Sequence, residues 1–204
     1  MIDWRLAAVG TALIAGCVAP AGGGSYRGTE LPRALARPAF TLAATTGQPF
    51  SFQSATAGRL TFLFFGYTHC PDVCPVQMAN LAAALLRLSP SERRRIAVVF
   101  VTTDPARDSL PRLRQWLDAF DSSFVGLRGD DSTVARIEAT LALPGAVREP
   151  VTDTVTGNYG VGHAAQVLAF SPDDSAHLAF PFGTRQADWA HDLPLLLYGR
   201  WDGR

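Results

Sequence analysis

Cysteine is scarce in this chain of 204 residues, with three in all. Cys17 lies near the start, which leaves Cys70 and Cys74 as the thiols of the folded region. No separate peroxidatic cysteine stands apart from that pair, which argues against a peroxidase. Two sulfurs alone also fall short of the four ligands that zinc prefers. A charge excess is missing as well: Lys+Arg and Asp+Glu are 18 each, so the formal net charge is zero. That balance lacks the basic footprint of a nucleic-acid binder, and nucleic acid is not expected as a partner. The basic run Arg93-Arg94-Arg95 reads as a solvated helix end before a strand. The apolar run at residues 6–16 is too short for an ordinary membrane-spanning helix. Internal repeats are absent.

What that run does fit is the core of a signal peptide, preceded by Arg5 and ending at Cys17. Leu13-Ile14-Ala15-Gly16-Cys17 resembles a bacterial lipobox, in which small residues at 15 and 16 admit a signal peptidase. Cys17 then carries the lipid; a plain secretory signal with a coincidental cysteine is the alternative. Residues 1–16 are therefore expected to be a lipoprotein-type signal peptide. The mature domain is expected in the cell envelope, on the periplasmic side of a membrane, lipid-anchored at Cys17. Disulfides can persist in such a compartment. Residues 17–38 are rich in Gly, Ala and Pro without apolar periodicity, and read as a flexible tether. Residues 39–204, in a chain that is 48% hydrophobic, suffice for one domain with a sizeable core.

Within that domain, apolar alternation at 40–42 and 49–52 around a Gly-containing turn predicts a β-hairpin. Residues 60–67 and 96–101 are near-continuous apolar runs, as in central strands covered on both faces. A helix from about Pro75 to Leu88 follows the first, presenting Met78, Leu81, Leu85 and Leu88 on one face. Further helices are predicted at 109–120 and 131–141, the latter capped by Asp131 or Ser132, with a short strand at 124–127 between them. Residues 143–162 read as loop. Strands at 165–170 and 177–180 flank a turn, and a last helix at 186–198 contains Pro194, which can kink or break it. Parallel strands joined by right-handed crossovers, then an antiparallel pair, give an α/β fold. The mixed central sheet flanked by helices is the thioredoxin-like arrangement, here with an N-terminal β-hairpin extension.

Cys70 and Cys74 stand at the first strand-to-helix junction, where unpaired N–H groups and the helix dipole favour a thiolate. Their spacing permits a disulfide, redox-active or structural. It also lets both sulfurs face one metal ion, and soft thiolates select Cu(I), zinc or iron–sulfur clusters. One imidazole added to two sulfurs suits three-coordinate Cu(I). Of the four histidines, His69 adjoins Cys70, but neighbouring side chains diverge. His163 precedes the strand at 165–170, in a loop that faces the first helix's N-terminus in such a sheet. His177 and His191 read as ordinary surface or core residues.

Gly66-Tyr67-Thr68-His69-Cys70-Pro71-Asp72-Val73-Cys74-Pro75 resembles the signature of the SCO/SenC family, thioredoxin-fold proteins that assemble the copper site of cytochrome c oxidase. Residues 101–108, Ala119-Phe120-Asp121 and residues 124–129 are similar to its pattern too, from about Phe40 to the last helix. The resemblance implies that Cys70, Cys74 and His163 bind copper, as Cu(I), Cu(II) or both. It implies that Asp72 shapes the loop and tunes the thiols; a plain turn residue is the alternative. It implies as partners the oxidase subunit carrying the acceptor copper site, other periplasmic copper chaperones or thiol reductants, and the membrane through the lipid. Gly162 stands where members often have Asp, and residues 142–158 depart from the usual pattern. Two other functions stay open: a thiol–disulfide oxidoreductase using Cys70 and Cys74 without copper, and a copper or redox sensor.

Overall fold

The computed structural model describes residues 26–151 and 158–199. The expected signal peptide and Cys17 lie outside the described residues. In chain order the elements are β1 (Thr29–Ala36), β2 (Thr41–Ala44), β3 (Pro49–Ser51), α1 (Phe52–Thr56), β4 (Leu60–Gly66), α2 (Val73–Leu85) and α3 (Pro90–Arg93). They continue with β5 (Ile96–Thr102), α4 (Leu110–Asp118), β6 (Val125–Arg128), α5 (Asp131–Thr140), β7 (Val147–Arg148) and β8 (Val161–Gly162). β9 (Val167–Phe170), β10 (Ser175–Phe180) and α6 (Gln186–Tyr198) complete the chain.

Eight strands form one mixed sheet in the order β1-β10-β9-β4-β5-β6-β2-β3. β4, β5 and β6 run parallel, and the remaining pairs are antiparallel. The continuous apolar runs of β4 and β5 are explained by burial on both faces. Leu60, Phe62 and Phe64 of β4 join Ile96, Val98 and Phe100 of β5 under α2, α4 and α6. Leu63 and Phe65 join Val99 and Val101 on the opposite face, against Phe52 of α1 and Val134 and Ile137 of α5. This is the side-chain alternation of a strand, with both faces apolar. The fold is thioredoxin-like α/β, and the β2–β3 hairpin extends the sheet edge beyond β6.

Beyond the short elements α1, α3, β7 and β8, the last two within the stretch 143–162 read as loop, three further elements differ from the sequence reading. The expected tether ends early, because Thr29–Ala36 forms an edge strand on β10. Its residues alternate poorly because most side chains are exposed, so the tie is mainly through the backbone and its two ends. At one end the buried Asp192 carboxylate accepts from the Arg27 N–H at 3.0 Å and the Gly28 N–H at 2.8 Å. At the other, buried Arg37 donates to Thr56 Oγ1, the Arg59 and Ser171 carbonyls and Asp174. The second difference is α6, which runs through Pro194 unbroken. The lost backbone bond is offset by burial of Trp189, Leu193, Leu196 and Leu197. Trp189 stacks on Phe180 with centroids 3.9 Å apart. Third, the N-cap of α5 is Asp130, whose Oδ1 accepts from the Thr133 N–H at 2.8 Å, one residue before the expected caps.

Replacing Asp192 by Ala leaves the part-buried N–H groups of residues 27 and 28 without their acceptor. The expected loss in chemical denaturation is about 2–3 kcal/mol. Amide exchange should accelerate selectively along β1; a variant with unchanged stability and unchanged β1 protection refutes the anchoring role.

Candidate metal and dithiol site

β4 ends at Gly66, and the chain turns through Tyr67–Pro71 into α2. A Cβ on Gly66 would lie 2.6 Å from Cys74 Sγ and 3.1 Å from the Phe100 ring. A side chain there excludes the thiol, so Gly66 belongs to the site although sequence reading assigned it no role. The turn itself is pinned from below by the buried carboxylate of Asp108. It accepts from the Thr68 N–H at 3.0 Å, the Thr68 hydroxyl at 2.6 Å and the Thr102 hydroxyl at 2.6 Å. Asp108 was visible in the sequence only as part of a family-like turn. Its depth, which makes it an anchor, depends on β4 and β5 lying side by side.

Asp72 caps α2, its Oδ1 accepting from the Val73 N–H at 2.6 Å. That places Cys74 in the first helical turn, wholly buried, and leaves Cys70 just before the helix at 8% exposure. Both thiols are free. The Cys74 N–H points at Cys70 Sγ, 3.4 Å away. From the segment just after β8 comes His163, whose Nε2 is 3.4 Å from Cys74 Sγ. His163 Nδ1 lies 3.0 Å from the Ala164 carbonyl. A carbonyl only accepts, so Nδ1 carries the hydrogen in the neutral ring and Nε2 presents its lone pair to the sulfurs. The edges and faces of Phe64 and Tyr67 hold the imidazole, with centroids 5.8 and 5.7 Å away. Val161 is buried in the same core cluster as Tyr67, which ties the histidine's segment to the cysteine turn.

The structure thus brings Cys70, Cys74 and His163 together, with all three ligand atoms within 4.8 Å of one another. Among the described residues this is the one such cluster. His69 stays outside it, its Nδ1 beside the Thr68 hydroxyl at 3.3 Å. His177 meets Asp173 at 2.8 Å and His191 meets Asp192 at 2.7 Å. The donor set is soft and open on one side. A cleft of roughly 480 Å³ fronts it, lined by Tyr67, Cys70, Asp72, Glu149, Gly160 and His163.

The two sulfurs are inequivalent. The hydrogen bond from the Cys74 thiol holds Cys70 down to about 4. Burial opposes this, and the N–H groups of Cys74 and Asp72 add to the stabilisation. Burial pushes the Cys74 thiol well above the ordinary range, and the neighbouring Cys70 adds to that. At neutral pH the site holds one thiolate on the cleft side and one thiol beneath it. Such a pair can bind a soft cation, or attack a disulfide through Cys70.

A thioredoxin-like sheet that carries two thiols and an imidazole at its first strand-to-helix junction defines a class of dithiol proteins with a three-donor metal site. The SCO1/SenC family model matches residues 28–197, and the chain belongs to this family. It is 35% identical over 153 residues to a putative copper-binding protein of Stutzerimonas stutzeri, covering 74% of this chain and 72% of that one. It is 27% identical to SCO1 homolog 1 of Arabidopsis thaliana mitochondria, covering 64% of this chain but only 40% of that protein. Bradyrhizobium japonicum ScoI with copper bound superposes with a TM-score of 0.68 at 26% identity, over 79% of this chain and 99% of that one. Apo Sco1 of Thermus thermophilus gives 0.73 at 28% identity, over 84% and 97%.

Because Cys70 titrates near 4, its alkylation by iodoacetamide should be flat from neutral pH down to about pH 6 and fall as the thiolate is protonated near pH 4. Mass spectrometry of the labelled peptide should place the adduct on Cys70. A rate that instead climbs through pH 8–9, as for an ordinary thiol, contradicts the assignment.

Proposed function

We propose that this chain is a copper-carrying assembly protein, in which reduced Cys70, Cys74 and His163 hold copper and hand it to the copper site of a cytochrome c oxidase subunit. The observation that carries this is the convergence of two sulfurs and one imidazole nitrogen within 4.8 Å. Family membership supports it, as does the likeness to a ScoI with copper bound. The donor set suits Cu(I): two sulfurs and a neutral nitrogen provide three soft or borderline ligands without requiring rearrangement of the fold. The Nδ1 bond to Ala164 fixes the tautomer that leaves Nε2 free. Hand-off proceeds from the cleft side, where Cys70 borders open space. An incoming thiolate of the acceptor displaces one ligand at a time, so copper is never released to water. Cys74, fully buried, is the last to let go.

A second reading follows from the unequal sulfurs. The Cys70 thiolate can attack an acceptor disulfide and release one of its sulfurs as a thiolate. Cys74, losing its proton, then closes the Cys70–Cys74 disulfide and frees the second. The acceptor is reduced by two electrons and this pair is oxidised by two. That chemistry prepares an acceptor's cysteines for metal and does not require His163, which distinguishes it from carriage. A sensor that retains copper without passing it on would bind equally well and fail in transfer.

Cu(I) competition titration on the reduced protein tests the carrier reading. One equivalent should be retained against a chelator. His163→Ala should weaken binding by more than about tenfold, and Cys74→Ser should abolish retention. Weak binding indifferent to His163 would leave the oxidoreductase reading in its place.

The reading includes a membrane tether at Cys17, supported by the lipobox-like residues 13–17. In cells grown with labelled fatty acid, the wild type should carry label and sediment with membranes. Cys17→Ser should lose both; a substituted protein that stays labelled removes the anchor from the proposal.

A further inference from the structure

The three donors are held with unequal security. Cys70 and Cys74 are fixed by the pinned turn and by α2. His163 follows β8, which pairs with β7 through a two-residue ladder outside the eight-stranded sheet. A ladder that short is marginal by itself. A metal ligand, however, must be held to within about half an ångström to contribute fully. Part of the missing rigidity comes from Val161, buried in the same core cluster as Tyr67.

A larger part lies four residues before the histidine. Tyr159 is only 7% exposed. Its hydroxyl donates to Asp104 Oδ1 at 2.8 Å. The Arg107 guanidinium carbon is 3.5 Å from the ring centroid and the Arg148 carbon 3.6 Å. Two guanidinium groups cannot share one face at that separation, so the ring is sandwiched between them. Arg107 comes from the turn after β5, where it pairs with Asp104 and donates to Asn158 Oδ1 at 3.0 Å. Arg148 comes from β7. The ring therefore joins the central sheet to the outlying ladder. A phenol that merely filled space would need neither cation, and the two cations repel unless ring and carboxylate lie between and beside them.

We propose that Tyr159 is a positioning residue for His163: its clamp between the Asp104–Arg107 turn and Arg148 sets Nε2 opposite the sulfurs, so that copper retention is tuned through the histidine and the dithiol is left unaltered. This rests on the reading of Cys70, Cys74 and His163 as the copper site. In consequence, metal affinity and thiol redox balance are separately adjustable, although the same cysteines serve both.

A double-mutant cycle on the full-length reduced protein tests this, with Cu(I) competition as the probe. The variants are Tyr159→Leu, His163→Ala and the two combined, with Tyr159→Phe as the conservative change. Tyr159→Leu should weaken Cu(I) by about 10–100-fold, the range for losing a partner that orients a ligand. In the double variant the loss should equal that of His163→Ala alone, because the clamp then has no ligand to position. Tyr159→Phe keeps the sandwich and should recover most of the affinity. The Cys70–Cys74 equilibrium with glutathione should shift by less than about twofold in every single variant at Tyr159. Losses that add in the double variant, or a dithiol equilibrium that moves together with the metal affinity, make Tyr159 a general structural residue and overturn the proposal. So does a Tyr159→Leu protein with wild-type affinity where His163→Ala is weak. A wild type that retains no Cu(I) fails earlier, at the copper reading, and takes the proposal with it.

Discussion

The approach of His163 Nε2 to Cys74 Sγ, across 89 positions of sequence, is the contact on which the upper end of this molecule depends. It requires room, and Gly66 supplies it by having no side chain where the sulfur sits. It requires a direction, and the Ala164 carbonyl supplies that by holding the hydrogen on Nδ1. It requires a floor, which Phe64 and Tyr67 form beneath the imidazole. None of these groups carries charge, so the two sulfurs are poised in a setting where their own titration decides the electrostatics.

That setting is asymmetric. Cys70 borders a cleft and collects hydrogen bonds from the thiol and N–H of Cys74 and from the Asp72 N–H. Cys74 has no solvent contact and keeps its proton. One negative charge is therefore shared by the pair, which is what a buried site can accommodate without a cation. A monovalent soft metal would replace the second proton with little change in net charge. A disulfide would remove the charge altogether. The same geometry thus serves metal binding and electron exchange, and the imidazole is the group that separates them. Beneath both, Asp108 holds the turn with three hydrogen bonds accepted from threonines, a buried carboxylate satisfied by donors from the turn itself and from the end of β5.

Much of this was readable in advance, for definite reasons. The β4 and β5 runs are apolar at every position because both faces are covered, and such runs are unmistakable. The helix that follows β4 tolerates Pro75 in its first turn, as read, although it starts two residues earlier, at Val73, with Asp72 as its cap. Where reading failed, the stabilising partner was remote. β1 has a weak pattern because it is an exposed edge, held by Asp192 and Arg37 from opposite ends. Pro194 did not break α6 because four buried side chains outweigh one missing hydrogen bond. The stretch around Tyr159 looked featureless because its order comes from two arginines and an aspartate distributed over 45 positions of sequence, not from periodicity.

The sequence by itself determined the chemical inventory: two thiols at a strand-to-helix junction, a sheet with both faces buried, and a histidine late in the chain. Those follow from composition and local pattern, which act over a few residues. Only the tertiary structure decided how His163 is oriented against the thiols, which sulfur is ionised, and why Gly66 and Tyr159 matter. Each of those depends on burial and on distances between segments far apart in the chain, and such quantities exist only once the sheet has closed around them.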